Sequence, residues 1–274
     1  MMKLMLNGRI EPAEEARVPA LDRGLTHGLG LYETLKLLDS VPVFFEEHAA
    51  RLHKGLATLQ IDLPEDDREL ATQIVRLAHE VGVTNGACRV LVTAGPPNGR
   101  PTLLIHAEVR QFPAHPLRLV TYRALRSTAD MKSKSFTTSH LALQAARAAG
   151  ADDALFVDEQ GRAHEATTAN LFVRRGGRLL TPPLDGSILP GVVRVKMVEL
   201  CAAAGDPVHE EPIVAEELGS DDAVYLTSSV RGIVTAQSLD GRALKVDEAD
   251  LQRLRALLQA AEQESAERFR RRYL

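Results

Sequence analysis

The chain has 274 residues, enough to bury a sizeable core in one large domain or two smaller ones. Apolar residues make up 45% and charged residues 26%, and the net charge of −4 is spread over both signs, so neither a basic stripe for nucleic acid nor an acidic solvating tail is present. The two cysteines, Cys88 and Cys201, show neither CxxC nor metal-ligand spacing, which points to buried free thiols in a reducing compartment.

The chain opens with MMKLML, too short for a signal-peptide core or a membrane span, so a cytoplasmic protein without a membrane partner is expected. KLMLNGRIEP reads as a hairpin, because Asn7-Gly8 suits a turn that needs positive φ. Apolar residues at helical spacing predict a helix over 46–59. A second helix is expected from Asp66, a plausible N-cap, to Val81, with Gly82 ending it. Three β-rich runs follow: ACRVLVTAG, TLLIHAEV and LRLVTYRAL. Between the last two, RQFPAHP carries two prolines and reads as an inter-domain connection.

SHLALQAARAAG then predicts a short helix with a glycine at its end, and 153–182 reads as strand, turn, strand, turn, strand. PGVVRVKMVELCAAAG has proline near the start of a helix and glycine at its close. AVYLTSSVRGIVTAQ is β-rich, and 247–272 is a long amphipathic helix. There is no internal repeat or low-complexity tract. The expected fold is mixed α/β with two lobes, 1–112 and 126–274, joined by a connector over 113–125.

Several stretches hold clustered polar residues and glycines. They are ALDRGLTHGLGLYETLK (Ala20–Lys36), EEHAARL with Arg51, KSKSF with Lys132 and Lys134, GRAHEATTANLFV with Glu165, TPPLDGSILPGVVR, and VYLTSSVRGI. Taken singly, each has a plain structural reading. Arg51 could be a helix-surface residue pairing with Glu47, Glu165 an exposed hairpin carboxylate, and TSS a polar strand end. The histidines offer no metal site, since His48 and His53 lack the HExxH arrangement, and no metal is expected. VTAGPPNGRP has no Walker-type lysine.

In order and spacing these stretches resemble the fold-type IV pyridoxal-phosphate enzymes, the class IV aminotransferase family. That family includes branched-chain aminotransferases, D-amino acid transaminases and aminodeoxychorismate lyases. The resemblance covers Asn7 to about Gly241. It is most specific at Lys132, followed about thirty residues later by E-x-x-x-x-N-x-F (Glu165 to Phe172) and then L-x-G before an arginine. It implies a two-lobed fold, with a small N-terminal α/β lobe and a larger, β-rich C-terminal lobe bearing helices. It also implies a homodimer acting on a small-molecule amino substrate, with pyridoxal 5'-phosphate as cofactor and the active site between the lobes.

KSKSF fits the family's K-[ST]-x-[NS]-[YF] with Lys132 first. The resemblance thus makes Lys132 the Schiff-base lysine and proton shuttle, and leaves Lys134 at solvent or the pocket rim. Such a lysine needs a lowered pKa to be nucleophilic. Glu165 takes the place of the carboxylate that keeps the pyridine nitrogen protonated, the condition for the ring to act as an electron sink. The phosphate falls to Arg51, to the helix start at Val192 and Val193, and to Ser228 and Ser229. Val193 stands where relatives often carry threonine, and Gly28-Leu29-Gly30 replaces the usual G-D-G. On the substrate side the resemblance points to Tyr32, Thr34, Arg100 and Arg231, with Lys36 adding positive potential. His27 is expected to be structural.

Thr34 and TSSVRGI resemble the lyases more than the transaminases. Arg100 lacks the histidine two residues on that D-amino acid transaminases carry. The expected activity is therefore 4-amino-4-deoxychorismate lyase, a step of folate biosynthesis releasing pyruvate and 4-aminobenzoate. Lys132 and Thr34 are its catalytic residues. The alternatives are a D-amino acid or branched-chain transaminase and, more remotely, a non-catalytic binding protein on the same fold.

Overall fold

The computed structural model describes residues 2–112, 115–125 and 129–274. The chain forms two compact units, and neither is one continuous stretch.

The first unit comprises Met1–Gln111, Met131–Ser135 and Ala261–Leu274. Its strands are β1 (Lys3–Leu6), β2 (Arg9–Pro12), β3 (Gly30–Leu38), β4 (Val41–Pro42), β5 (Gly86–Thr93) and β6 (Thr102–Glu108), in the order β2-β1-β6-β5-β3-β4. The β1–β2 turn holds Asn7 and Gly8 at φ 48° and 79°, as expected of that pair. Helix α1 is a single turn over Arg23–Thr26, whereas α2 (Phe45–Thr58) and α3 (Asp67–Glu80) each run 14 residues. The N-cap Asp66 makes a reciprocal capping box with Glu69, and Gly82 at φ 69° ends that segment.

Alternation along β3 gives the sheet two unlike faces. Leu31, Leu35 and Leu37 join Val90, Val92, Leu103 and Ile105 in a core shared with the helices. Tyr32, Thr34 and Lys36 occupy the other face, where the register sets Tyr32 beside Leu91, Thr34 beside Arg89, and Arg89 beside His106. The core also takes in Phe269 and Tyr273, whose rings lie 5.4 and 5.1 Å from that of Phe45.

The second unit comprises Phe112–Asp130 and Phe136–Ala260. Its strands are β7 (Leu117–Arg123), β8 (Asp153–Val157), β9 (Arg162–Ala166), β10 (Asn170–Arg175), β11 (Arg178–Thr181), β12 (Val208–Glu210), β13 (Ile213–Val214), β14 (Ala223–Ser228), β15 (Gly232–Leu239) and β16 (Arg242–Ala243). The order is β12-β11-β10-β14-β15-β7-β8-β9-β13, and β9 also pairs with β10. Following the pairings from β10 through β14, β15, β7, β8 and β9 returns to β10, so six strands close on themselves. The closing seam is one residue pair, Asn170 opposite Glu165. Helix α4 (Thr137–Ala148) packs on β8, and α5 (Val192–Ala203) packs on β14. Helix α6 (Glu248–Tyr273) begins in this unit and ends in the first.

The structure differs from the sequence expectation in three places. The segment expected as a connector over 113–125 contributes β7, a strand between β15 and β8; Pro113 and Ala114 lie outside the described residues. The stretch 153–182 holds four strands rather than three, because a bend over 167–169 separates β9 from β10. The lobe bounds also differ: Met131–Ser135 and Ala261–Leu274, assigned by sequence to the C-terminal lobe, belong to the first unit, and Phe112, assigned to the N-terminal lobe, belongs to the second. Both cysteines are buried and unbridged, and no helix among the described residues is long and apolar enough to cross a membrane.

Candidate functional site

In the first unit residues 132–135 of the KSKSF segment lie along the start of β3. Tyr32 N–H donates to the Lys132 carbonyl at 3.0 Å, Lys134 N–H donates to the Gly30 carbonyl at 2.9 Å, and Ser133 bridges Leu31. Although residues two apart share a face of an extended segment, the two lysines meet different partners. Lys132 Nζ stands 4.8 Å from the centroid of the Tyr32 ring. Lys134 Nζ instead donates to the Gly24 carbonyl. The expectation that Lys134 faces solvent or a pocket rim is thus corrected: its ammonium fastens the loop before β3.

That loop is built on Asp22, which is fully buried and accepts from Gly24 N–H and from the hydroxyls of Thr93 and Thr102. Gly24 has no room for a side chain, since a Cβ there would lie 2.4 Å from Thr93. Where the family pattern has aspartate, Leu29 is partly exposed and contributes its backbone, accepting from Ala94 N–H at 3.1 Å. His27 is exposed, with Nδ1 2.7 Å from the Thr26 hydroxyl, a local bond consistent with a structural role.

Glu33 falls on the core face of β3, where a lone carboxylate would be costly. Residues three apart on α2 meet it: His48 Nδ1 lies 2.7 Å away, and Arg51 donates through Nε at 2.8 Å and Nη2 at 2.6 Å. Burial alone would raise the Glu33 pKa, but the Arg51 charge and the bonds from His48 and Arg51 outweigh it and hold it at about 2. Burial lowers the pKa of His48, so at neutral pH the imidazole is uncharged and donates Nδ1–H to Glu33. Arg51 is therefore oriented by Glu33; the pair with Glu47 is not needed to place it.

The substrate-side residues separate. Tyr32 and Thr34 share the polar face of β3. Lys36 is on that face too, but its ammonium is matched by Glu262 Oε2 at 2.5 Å, so it does not add the net positive potential expected of it. Arg100 lies in the exposed β5–β6 connection. The arginine beside Tyr32 is Arg89, 5.1 Å from the ring centroid, with a buried Nε that has no hydrogen-bond partner among the described residues. Sequence reading passed over Arg89. Its signal was a charge alternating with Cys88, Val90 and Val92, but only the strand register reveals its neighbours.

The second unit holds the other residues. Glu165 is buried and accepts from Asn170 Nδ2 and the Leu189 N–H, each at 3.3 Å, while Asn170 Nδ2 also donates to the Leu189 carbonyl at 2.8 Å. Gly191 caps α5, and a Cβ there would lie 1.9 Å from Asn170 Oδ1, so only glycine lets the helix start approach this seam. Val192 and Val193 open the helix, where the first N–H groups have no intrahelical acceptor and the dipole favours an anion. Thr227, paired with Asn170 across β10 and β14, has a buried hydroxyl without a partner among the described residues. Ser228 and Ser229 follow it at the strand end; Thr227 was the position that sequence reading missed. Arg231 has buried Nε and Nη2 groups without partners among the described residues, and its guanidinium stands 5.6 Å from the Phe112 ring centroid.

The donor set fits pyridoxal phosphate. An unpartnered buried hydroxyl, a side-chain-free helix start and open N–H groups suit a phosphate. A buried carboxylate suits a protonated ring nitrogen. Among the described residues no group of His, Cys, Asp or Glu is arranged to hold a metal ion.

Comparison with known proteins agrees. A family model described as amino-transferase class IV matches residues 30–239. A Methanocaldococcus jannaschii protein, provisionally named a branched-chain-amino-acid aminotransferase, is 30% identical over 89% of this chain and 90% of its own. A Bacillus licheniformis D-alanine aminotransferase is 27% identical over 89% and 90%. A Bacillus subtilis aminodeoxychorismate lyase is 26% identical over 84% of each chain. A solved Legionella pneumophila structure, provisionally named a 4-amino-4-deoxychorismate lyase, superposes with a TM-score of 0.85 at 27% identity, covering 91% of this chain and 97% of that one. With its sequence blocks, its mixed α/β fold and its donor set in agreement, the chain belongs to the class IV aminotransferase family, whose cofactor is pyridoxal phosphate.

Proposed function

We propose that this chain is a pyridoxal-phosphate-dependent 4-amino-4-deoxychorismate lyase. The observation that carries the reading is the polar face of β3, where the Thr34 hydroxyl stands one strand repeat from Tyr32, itself faced by Lys132 Nζ and Arg89. A lyase needs a base, a hydroxyl to hold or relay a proton, and cations for a substrate bearing two carboxylates. Lys132 and Thr34 are the candidates for the first two, and Arg89 and Arg231, whose buried guanidinium nitrogens lack partners among the described residues, for the third.

Bound pyridoxal phosphate supplies an electron sink for the pair left on the substrate carbon when its proton is removed. Lys132 would hold the cofactor, and its ε-amine, close to the substrate carbon, would take that proton. It would return that proton to the methylene carbon of the enolpyruvyl group as the bond between the ring carbon and the ether oxygen breaks, so that pyruvate and 4-aminobenzoate form without water or a second substrate. Glu165 keeps the ring nitrogen protonated. Arg51, the N–H groups of Val192 and Val193, and the hydroxyls of Thr227, Ser228 and Ser229 hold the phosphate. Tyr32 packs against the reacting centre, and Arg89 and Arg231 take substrate carboxylates.

One observation favours a second reading, an aminotransferase: the relative at 30% identity is named for that reaction. It would use the same Lys132 and need a keto-acid acceptor. The deciding experiment is turnover of aminodeoxychorismate by purified holoenzyme with no keto acid present. Equal release of pyruvate and 4-aminobenzoate over many turnovers is expected. Absence of both, with amino transfer appearing once amino and keto acids are supplied, would replace the lyase by the transaminase.

A further inference from the structure

Glu165 sits in a place where regular strand pairing does not fix a side chain. In the β8–β9 ladder Leu155 faces Ala166 and Val157 faces Ala163. His164 and Glu165 therefore stand together opposite Phe156, which is a β-bulge on β9. A bulge re-aims side chains and leaves one residue outside the ladder. On its other side Glu165 is held by the lone seam pair with Asn170, and its carboxylate accepts from Asn170 Nδ2 and the Leu189 N–H.

A second hold lies one step along the chain. The Thr167 hydroxyl donates to Asp153 Oδ1 at 2.6 Å, and the Thr167 N–H reaches the same oxygen at 3.4 Å. Asp153 Oδ1 also accepts from the Ala154 N–H at 2.8 Å, which fixes the carboxylate to the start of β8. Asp153 is 6% exposed and Thr167 3%, so little solvent competes for these bonds. Thr167 opens the three-residue bend between Glu165 and Asn170, and the Ala166 N–H donates to the Ala169 carbonyl to close it. The bulge that carries Glu165 is thus tethered to β8 by a side chain where the ladder is interrupted. A buried carboxylate at a strand start needs no such hydroxyl for the strand itself to form, since Ala154 already satisfies part of it.

We propose that Asp153 and Thr167 are positioning residues, which pin the β9 bulge so that the Glu165 carboxylate stays aimed at the ring nitrogen of the cofactor. The inference rests on the role proposed above for Glu165, and it is tested on the holoenzyme without any substrate. Two quantities are read: the rate of pyridoxal-phosphate release after dilution, and the visible absorbance of the bound cofactor between about pH 6 and pH 9.

Thr167→Val is expected to speed release about tenfold, the lower end of what losing an outer hydrogen-bond partner costs at a bound group. It should shift the absorbance in the same direction as Glu165→Gln, and Thr167→Ser should restore both. In the Glu165→Gln background, Thr167→Val should add less than about twofold, because the group it acts through is already replaced. Equal effects in both backgrounds would make Thr167 a general stabiliser of the barrel and overturn the positioning role. So would wild-type release and absorbance in Thr167→Val. If that variant gives no soluble holoenzyme, Thr167→Ala, which also removes the hydroxyl that Asp153 Oδ1 accepts from, puts the same question, and wild-type values there overturn the inference. Should Glu165→Gln itself leave absorbance and release unchanged, the assignment of Glu165 to the ring nitrogen is what fails, and the inference falls with it.

Discussion

Replacing Glu33 by glutamine tests whether the buried triad with His48 and Arg51 is held by charge. The carboxyl goes from an ordinary 4.5 to about 2 on folding. At about 1.4 kcal/mol per tenfold change, the charged form therefore contributes about 3 kcal/mol to folding at neutral pH. A folded pKa below the unfolded one gives stability that is complete above the unfolded value and lost as pH falls towards the folded value. Wild type should thus exceed Glu33→Gln by about 3 kcal/mol near pH 7, and the gap should narrow to about 1 kcal/mol near pH 3. Removing one member of a buried charge pair typically costs about 3–5 kcal/mol, which agrees in size. The assay is urea unfolding of both apoproteins across that range, followed by fluorescence, because the other carboxylates are common to both and cancel in the difference. A gap below about 1 kcal/mol at pH 7, or one that does not change down to pH 3, would refute the assignment of the stability to the Glu33 charge.

Three further outcomes are expected. Borohydride reduction of holoenzyme followed by peptide mapping should place the pyridoxyl group on Lys132; Lys132→Ala should abolish labelling, whereas Lys134→Ala, which loses the Gly24 anchor, should keep it. Gly191→Ala should weaken pyridoxal-phosphate binding at least about tenfold by fluorescence titration, since its Cβ would lie 1.9 Å from Asn170 Oδ1 and the helix start must withdraw. Arg89→Leu should raise KM for a carboxylate-bearing substrate by about tenfold or more with a smaller change in kcat, the mark of lost ground-state binding; an unchanged KM would remove Arg89 from the substrate side.

The elements most legible in the sequence were those with punctuation. Asp66 at one end and Gly82 at the other defined α3 because capping chemistry is local. Strand β3 was harder, since Gly24, Gly28 and Gly30 lead into it and its pairing to β5 joins residues far apart in sequence. For the same reason the order of KSKSF within the family pattern picked out Lys132, yet nothing local could reveal that its segment lies against β3 of the first unit. Glu165 could be placed by its spacing to Asn170, but the bend over 167–169 could not, because it depends on the Thr167 bond to Asp153. Arg89, Thr227 and the Lys36–Glu262 pair share one difficulty. Their meaning is set by partners across a sheet or from the last helix, which no window of sequence contains.

The first unit draws its core from both ends of the chain, since Phe269 and Tyr273 pack on Phe45. During synthesis at roughly 5–20 residues per second, Phe45 waits on the order of ten to fifty seconds for those rings to appear. The usual order, in which the N-terminal unit finishes first, is therefore reversed: the barrel can close while the first sheet still lacks the aromatic cap over α2. A stop codon that removed only the last helical turns would leave the barrel intact and strip that cap, so the loss would be felt at the opposite end of the sequence.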